Sequence, residues 1–430
     1  MHNDVFSVPT VKVSLTPLKI VALMMVVLPG YGIWDAYSNQ VSLLGVTIDH
    51  GLLISYLCYT VMMSFFICLT PSSGLIAVNP LYLLELNGIC LRSLLVSLLC
   101  FFEIFWVSGR HTVSGSMDRG EVRSSLGTIG PFYNFTVKYL LTLLALLAVY
   151  NLILCKNNRI QNYFALLLIV LSALMTGYKS TLIMVMLPSS CLLWPLTSLQ
   201  QKGLLFFGAF SFIVISNMFF SDISIDDARR YVAARATTIA AYGLAGSWDY
   251  AASYPTAAFN QWIFSFFGNN ISEKIFDTFN INFAGSVNKL ITVAYYPNIE
   301  RAEEGSVNLT LTLFGELSVL FGRWWFLAAF LYGAGFVKTF NFALWQFFSG
   351  RLNMGLLALI FITFVLLPAL NSGGIFGIIS LPTTVNLIVV YICLRFIVLQ
   401  KNSPIIANVL MNKANDDAKL TSINSVLPND

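Results

Sequence analysis

One alanine-rich stretch, 224–238, carries the residue types best suited to binding or transferring a charged group. Its charged and aromatic residues are Asp226, Asp227, Arg229, Arg230, Tyr231 and Arg235. A guanidinium group grips phosphate oxygens in a planar, bidentate way, so three arginines in one stretch favour an anionic ligand. Arg235 has no acidic residue three or four positions away and is the strongest candidate. Arg229 and Arg230 could instead belong to a solvated face, with Arg230 in an ordinary ion pair with either aspartate.

The same stretch predicts a helix, because it contains neither glycine nor proline before Gly243. Ser224 is placed to cap this helix, and two aspartates in its first turn would suit the helix dipole. At helical spacing, one polar stripe would contain Asp227, Tyr231, Arg235, Thr238 and Tyr242. Since the opposite face is apolar, the helix could lie along a membrane surface with its arginines facing outward.

Aromatic side chains dominate the sequence that follows. Nine of them fall between Tyr242 and Phe267, and Trp248 and Asp249 lie among them. Aromatic rings stack on sugar rings, and neighbouring carboxylates can bind sugar hydroxyls. An interfacial aromatic belt or the core of a loop would have the same composition. Tyr242, Trp248 and Asp249 are therefore candidates for sugar binding, with a packing role as the alternative.

Three further charged residues are candidates. Lys179 falls in a minimal turn between two apolar runs, where it could anchor a helix end or contact a phosphate. Glu316 lies inside an apolar run, and an acid in such a place is a functional hypothesis by default. Helix packing or a pair with Arg323 is the alternative for Glu316. Arg301 is flanked by three glutamates, which fits a solvated turn, and it is also a candidate for substrate binding.

Sequence motifs of several enzyme classes are absent. There is no glycine-rich phosphate loop, no zinc-binding His–Glu pattern and no serine-hydrolase elbow. None of the three histidines lies within 221–305, and none of the seven cysteines has metal-ligand spacing. The sequence thus predicts no metal and no cofactor, and any catalysis would depend on arginines and carboxylates.

The elements that must position these residues are predicted to lie in a membrane. Apolar residues make up 57% of the chain and charged residues only 10%, against about 25% charged in ordinary globular domains. Such a chain cannot cover its surface with polar groups, so lipid must cover much of it. The net charge of +4 comes without a basic cluster, so nucleic acid is not expected as a partner. We therefore predict an all-α, polytopic integral membrane protein.

The spans follow from runs of about 20 mostly apolar residues. Ten runs qualify: 17–34, 51–70, 90–108, 136–155, 162–177, 181–199, 203–220, 324–345, 353–371 and 378–399. Two further stretches, 72–89 and 306–322, are interrupted by proline, glycine or glutamate. The prediction is therefore about ten transmembrane helices, and up to twelve if both of these also cross.

Lysines and arginines in short loops are more frequent on the cytoplasmic side. With ten spans, Arg159, Lys202 and Arg351 fall on one side together with both termini, which we predict to be cytoplasmic. The loop at 109–135, with three arginines, is an exception on the outer side. The predicted parts are an N-terminal transmembrane bundle (1–220), one large outer loop (221–305), C-terminal transmembrane helices (306–400) and a disordered polar tail (401–430).

This architecture resembles the bacterial O-antigen polymerases of the Wzy type, which join lipid-linked repeat units of surface polysaccharide. The turn 175–180 is similar to a basic turn of that family, and Arg235 with Gly246 matches an Arg-x10-Gly pattern. Residues 305–322 resemble the stretch that follows the periplasmic loop. A second Arg-x10-Gly pattern is absent, because Thr312 stands at that spacing after Arg301. The large loop also lacks the histidine expected of the related O-antigen ligases.

The resemblance implies a metal-independent glycosyltransferase at the periplasmic face of the bacterial inner membrane. It would move a growing glycan from undecaprenyl pyrophosphate to an incoming lipid-linked repeat unit. Arg235, Arg230 and Lys179 would hold the pyrophosphate. One of the carboxylates Asp227, Asp249 and Glu316 would be the general base. The other substrate contacts would be Arg229, Tyr231, Tyr242, Trp248 and Arg301.

The implied partners are the lipid-linked oligosaccharide, membrane lipid, a chain-length regulator and a flippase. Three alternatives stay open. The chain could be a flippase or transporter of lipid-linked oligosaccharide, although charge is concentrated in one loop rather than spread over the spans. It could be a ligase-like transferase. It could also be a glycosyltransferase with lipid-phosphate sugar donors, for which Asp49-His50 is a poor match to the acidic motif expected in the first outer loop.

Overall fold

The structure is a computed structural model that describes residues 10–114, 126–154, 159–177, 181–221, 224–253, 266–267, 278, 287–298 and 309–398. Up to residue 221 its helices are α1 (Thr16–Ser38), α2 (His50–Leu69), α3 (Pro80–Leu84), α4 (Leu86–Ile104), α5 (Arg110–Ser114), α6 (Gly130–Phe135), α7 (Leu141–Leu154), α8 (Arg159–Met175), α9 (Thr181–Leu193) and α10 (Leu199–Ser221). Beyond it they are α11 (Ile225–Ala236), α12 (Thr238–Ser253), α13 (Val287–Tyr295), α14 (Thr312–Phe321), α15 (Trp325–Phe348), α16 (Leu352–Phe361), α17 (Leu367–Ser372) and α18 (Leu381–Ile397).

Short turns of tighter or wider helix connect several of these elements. The π-helical turns are Phe105–Gly109, Thr136–Leu140 and Ile362–Leu366, and the 3-10 turns are Gly127–Ile129, Trp194–Leu196, Gly322–Trp324 and Ile375–Ile378. Each π-helical turn continues an apolar helix rather than ending it, so α4 with α5, α6 with α7, and α16 with α17 form three long helical segments.

Six helical segments of the described chain are long and apolar enough to cross a membrane. They are Thr16–Ser38, His50–Leu69, Leu86–Thr112, Gly130–Leu154, Thr312–Phe348 and Leu352–Ser372. Four shorter apolar helices are Arg159–Met175, Thr181–Leu196, Leu199–Ile215 and Leu381–Ile397. The predicted class, a mostly helical membrane protein, is confirmed. The count of ten to twelve spans and the large outer loop remain predictions.

The first uncertain stretch, 72–89, does not form one helix. It contains β2 (Ser73–Ala77), which pairs antiparallel with β1 (Thr10–Ser14), and then the short helix α3. We call this pair of strands the ribbon. Because side chains alternate along a strand, Val11, Val13 and Ile76 face inward and are buried in the core. The ribbon adds a small sheet to a fold predicted as all-α.

The second uncertain stretch becomes α14, whose ten residues span about 15 Å, half of a bilayer core. The chain then turns sharply at Gly322, whose φ of 53° suits glycine. The rings of Phe314 and Trp325 lie 5.0 Å apart. Eleven residues of straight helix would separate these residues by about 16 Å. The chain therefore folds back between α14 and α15, and α14 is not part of a straight span.

One end of the bundle is marked by the ribbon, and we call it the ribbon end. Lys19 donates to the carbonyl oxygens of Thr70 (2.7 Å) and Cys68 (3.3 Å) at the C-terminus of α2. Arg92 donates to the carbonyl of Ile397 at the C-terminus of α18 (2.7 Å). A cation near a helix C-terminus satisfies carbonyls that have no partner within the helix. These contacts place the C-terminus of α2 beside the start of α1, and the C-terminus of α18 beside the first half of α4.

The opposite end, which we call the loop end, contains the N-terminus of α2. Asp49 caps this helix by accepting from the amide of Leu52 (2.6 Å). Trp248 of α12 lies beside Gly51 in the first turn of α2. Helix α12 thus packs at the end of the bundle that is remote from the ribbon.

Helix α12 is built into the bundle. Its residues from Ala240 to Ser247 are mostly alanine and glycine. All of them are buried except Tyr242, which is half-buried. A Cβ at Gly243 would collide with the backbone of Thr310 and Leu311, and a Cβ at Gly246 would lie 3.1 Å from the ring of Tyr295. Small residues let helix backbones approach closely. This part of the predicted outer loop therefore packs against α1, α13 and α14.

Candidate functional site

Helix α11 begins with the predicted cap. The Ser224 hydroxyl accepts from the amide of Asp227 (3.1 Å) and donates to its carboxylate (2.7 Å). This reciprocal contact stabilises the N-terminus, and Asp226 beside it suits the positive end of the helix dipole. The cap on Ser224 is confirmed. The carboxylate of Asp227 is engaged in starting the helix.

The predicted polar stripe from Asp227 to Tyr242 is wrong, because the helix breaks at Thr237. Thr237 has φ −114° and ψ −77°, and both its amide and its hydroxyl donate to the carbonyl of Ala233. A Cβ at Gly32 of α1 would lie 2.5 Å from the carbonyl oxygen of Thr237, so α1 packs directly against the break. The polar stripe therefore stops at Arg235. Thr238 and Tyr242 belong to α12, after the break, and do not continue it.

The three arginines of α11 are all exposed. Arg229 approaches Asp226 at 3.9 Å, and both side chains are more than half exposed. An ion pair in water contributes little to stability. Neither of the ion pairs expected for Arg230 forms, because Asp226 is paired with Arg229 and Asp227 with the cap. Within the described residues Arg230 has no acidic partner.

Arg235 is held by an aromatic residue rather than an acid. Its Nη1 donates to the Tyr231 hydroxyl (2.6 Å), and its guanidinium carbon lies 5.9 Å from the centre of that ring. The pair sits one helical turn apart on an exposed surface. One hydrogen bond leaves most of the five N–H donors of Arg235 available to a ligand. We call Arg229, Arg230, Tyr231 and Arg235 the arginine face.

Trp248 and Tyr242 are half-buried packing residues in this structure. The Trp248 ring stacks on Phe314 at 6.0 Å with an interplanar angle of 15°. Phe314 in turn contacts the rings of Tyr56 and Tyr59 on α2 at 5.3 and 5.4 Å. This aromatic cluster joins α2, α12 and α14. Both side chains make the packing contacts that were the alternative to sugar binding.

Asp249 is exposed on α12, and its Oδ2 accepts from the Tyr295 hydroxyl of α13 (2.7 Å). Among the described residues, the second oxygen of this carboxylate has no partner and could bind a ligand hydroxyl. Asn288, also on α13, donates to the carbonyl of Ser372, the last residue of α17 (2.9 Å). These bonds tie α13 to α12 and to the end of α17.

Glu316 lies on α14 and is only 3% exposed. Its Oε2 accepts from the backbone amides of Gly374 and Ile375, the latter at 2.8 Å. Gly373 and Gly374 have φ of 75° and 90°, which lets the chain after α17 turn both amides toward the carboxylate. The two amides offset the cost of burying the charge. Arg323, the alternative partner, is exposed and does not bind Glu316.

The structure brings some predicted residues together and separates others. Trp248 and Asp249 lie on α12, which packs against the α14 helix of Glu316. The arginine face lies on α11, beyond the break at Thr237, and no described hydrogen bond joins it to these residues. Gly246 of the Arg-x10-Gly pattern is buried against Tyr295, so its role is packing and not contact with Arg235. Lys179 and Arg301 lie outside the described residues.

Sequence reasoning missed Tyr295, Asn288 and the Gly373–Gly374 pair. The Gly-Gly pair after an apolar run was a readable signal of a chain turn. Asn288 and Tyr295 carried none, because their partners are far away in the chain. Within the part of the chain that the structure describes, no three His, Cys, Asp or Glu side chains group as a metal site requires.

Long apolar helices, a buried carboxylate bound by backbone amides and an exposed arginine face define a helical membrane protein with a polar surface at one end. No family model, no curated protein and no solved structure matches the chain. The class therefore rests on the helices themselves, and a more specific function has to be argued from the residues.

Proposed function

We propose that the protein is an O-antigen polymerase of the Wzy type, which extends a glycan on undecaprenyl pyrophosphate at the periplasmic face of the inner membrane. The observation that supports this is the arginine face. Arg230 and Arg235 are exposed and have no acidic partner among the described residues. They lie near the loop end of the bundle, which we take to be the periplasmic end, the side on which the proposed pyrophosphate substrate is used.

In the proposed reaction the arginines act on the leaving group. A hydroxyl oxygen of the incoming repeat unit forms a bond to the anomeric carbon of the growing glycan. The bond from that carbon to the pyrophosphate oxygen breaks, and the electron pair stays on the pyrophosphate. Arg235 and Arg230 would stabilise the charge that develops there by bidentate hydrogen bonds. The hydrogen bond to Tyr231 would orient the guanidinium of Arg235 before substrate binds.

The acceptor hydroxyl must lose its proton, and Asp249 is the best supported of the three candidate bases. Asp249 is exposed, and within the part of the chain that the structure describes one of its oxygens is bound, by Tyr295. Asp227 is occupied by the cap, and Glu316 is buried and bound to two amides. A general base must reach its substrate within hydrogen-bonding distance. We therefore assign Asp227 and Glu316 to positioning the site and Asp249 to proton transfer.

The test is complementation of a deletion strain, read as the banding pattern of lipopolysaccharide on a gel. Wild-type protein should restore long polymer, whereas Arg235→Ala and Asp249→Asn should leave lipopolysaccharide capped with a single repeat unit. Arg351→Ala, at the ribbon end, is the matched control and should restore long polymer. Immunoblots of membrane fractions establish equal amounts of each variant. Long polymer with both Arg235→Ala and Arg230→Ala would remove the arginine face from the mechanism.

A second candidate function is transport of lipid-linked oligosaccharide across the membrane. Its support is a pair of chain breaks near buried Glu316: Gly322 follows it by six residues, and Gly373–Gly374 lie against its carboxylate. Many transporters place broken helices around a polar site inside the membrane. The same strain separates the two functions, because loss of a transporter leaves no repeat unit on lipopolysaccharide, while loss of a polymerase leaves one.

A further inference from the structure

A groove at the ribbon end has the residues of an anion site. It has a volume of about 370 Å³ and is lined by the ribbon, the 3-10 turn at Trp194 and the first turn of α10. Lys12 and Lys202 both line it, and none of the lining residues is acidic. Two cations around one groove without a carboxylate favour a ligand that carries negative charge.

The two lysines are held at the groove by different elements. Lys12 lies on β1 opposite Leu75 of β2, on the outward face of the ribbon, while Val13 beside it is buried. Lys202 is half-buried, and its Nζ lies 5.3 Å from the centre of the Trp194 ring. The ribbon is fixed close to α15, because a Cβ at Gly74 would lie 3.0 Å from the Leu344 side chain. The fold therefore sets the backbone positions from which both lysines reach the groove.

The surroundings of the groove are apolar and exposed. Leu75 on the ribbon is 41% exposed, and Leu199 and Leu204 on α10 are 84% and 69% exposed. The groove also lies beyond the ends of apolar helices, because Ser73 follows α2 by four residues and Lys202 is in the first turn of α10. A water-soluble anion would gain nothing from these leucines. A ligand with a charged head and hydrocarbon chains would bind both the lysines and the leucines.

We propose that this groove binds the phosphate headgroup of an anionic phospholipid, whose acyl chains lie along the exposed leucines of α10. Lys12 and Lys202 bind the phosphate, and Trp194 lies at the boundary between headgroup and chains, where amphipathic rings are common. The lipid bridges the ribbon and α10 at the ribbon end. This site is independent of the arginine face and of the proposed polymerase activity.

The experiment measures lipid binding to the full-length protein by native mass spectrometry in detergent. Phosphatidylglycerol should bind at least tenfold more tightly than phosphatidylcholine. One lysine near an anionic lipid contributes about a fivefold factor. Lys12→Gln and Lys202→Gln should therefore each weaken phosphatidylglycerol binding about fivefold, and the double variant about 25-fold. Lys12→Arg should keep the affinity, because the charge is retained.

Arg351→Gln is the matched control. Arg351 is an exposed cation close to the ribbon end, 5.8 Å from the Trp345 ring, and it does not line the groove. It should leave the affinity unchanged. An equal loss in Arg351→Gln would mean that binding follows general charge, and the proposal would fail. It would also fail if phosphatidylcholine bound equally well, or if inorganic phosphate at millimolar concentration displaced phosphatidylglycerol.

Discussion

At the residue scale, Glu316 shows how a buried charge can be structural. The apolar sequence around Glu316 predicted an acidic side chain inside the membrane, and the side chain is buried in the structure. Its partners are two backbone amides at Gly374 and Ile375, which sequence spacing could not reveal because they lie 58 and 59 residues away. The Ser224 cap was predictable, since Ser224 and Asp227 are three residues apart.

The role of Glu316 as an anchor predicts the effect of its replacement. Glu316→Gln removes the charge and should lower the free energy of unfolding by about 1.5–3 kcal/mol, the contribution of a hydrogen bond to a charged group. Glu85→Gln is the control, because Glu85 and Arg92 form a partly exposed pair at 3.8 Å that should contribute less than about 1 kcal/mol.

Denaturant unfolding of the purified variants in detergent measures both effects. The amount of polymer made by folded Glu316→Gln then separates an anchor from a base. If Glu316 only stabilises the fold, Glu316→Gln should make polymer in proportion to the amount of folded protein. If Glu316 is the general base, the variant should make no polymer even when it is fully folded. An unfolding free energy equal to that of the wild type would contradict the anchoring role.

At the element scale, apolar runs predicted the long helices, because a membrane requires about 20 such residues in a row. The pairing of β1 with β2 was not predictable, since the paired residues are about sixty positions apart and each strand has only five residues. The break at Thr237 was also missed. The alanine-rich sequence continues through the break without a signal. The end of α11 is marked by a tertiary contact, between Thr237 and Gly32 on α1.

The packing of α12 makes a prediction about Gly243. Gly243→Ala places a methyl group against the backbone of Thr310 and Leu311, which cannot move aside as a side chain could. Overpacking of this kind costs about 1–3 kcal/mol. Gly335→Ala, in α15, is the control, because nothing lies within 4 Å of its Cβ position and alanine favours helix. Thermal unfolding in detergent should show a lower midpoint for Gly243→Ala alone, and equal midpoints would exclude the close contact.

At the scale of the whole molecule, the two ends of the bundle differ in chemistry. Lys12, Lys19 and Lys202 lie at the ribbon end, and the arginine face lies near the loop end. Lys202 was predicted to share a side with the N-terminus, and in the structure it lines the same groove as Lys12. The side of the membrane on which this end lies was inferred only from the number of lysines and arginines in short loops. The structure shows which residues share an end of the bundle, and cysteine labelling shows which end faces outward.

Cysteine labelling with a membrane-impermeant maleimide on intact cells gives that direction. In a background without the native cysteines, Ala233→Cys on the exposed surface of α11 should react at once, because the loop end is predicted to face outward. Thr10→Cys, on the exposed side of the ribbon, should react only after the cells are permeabilised. The reverse pattern would place the arginine face in the cytoplasm, where no periplasmic glycan could reach it, and the proposed polymerase would be excluded together with the predicted orientation.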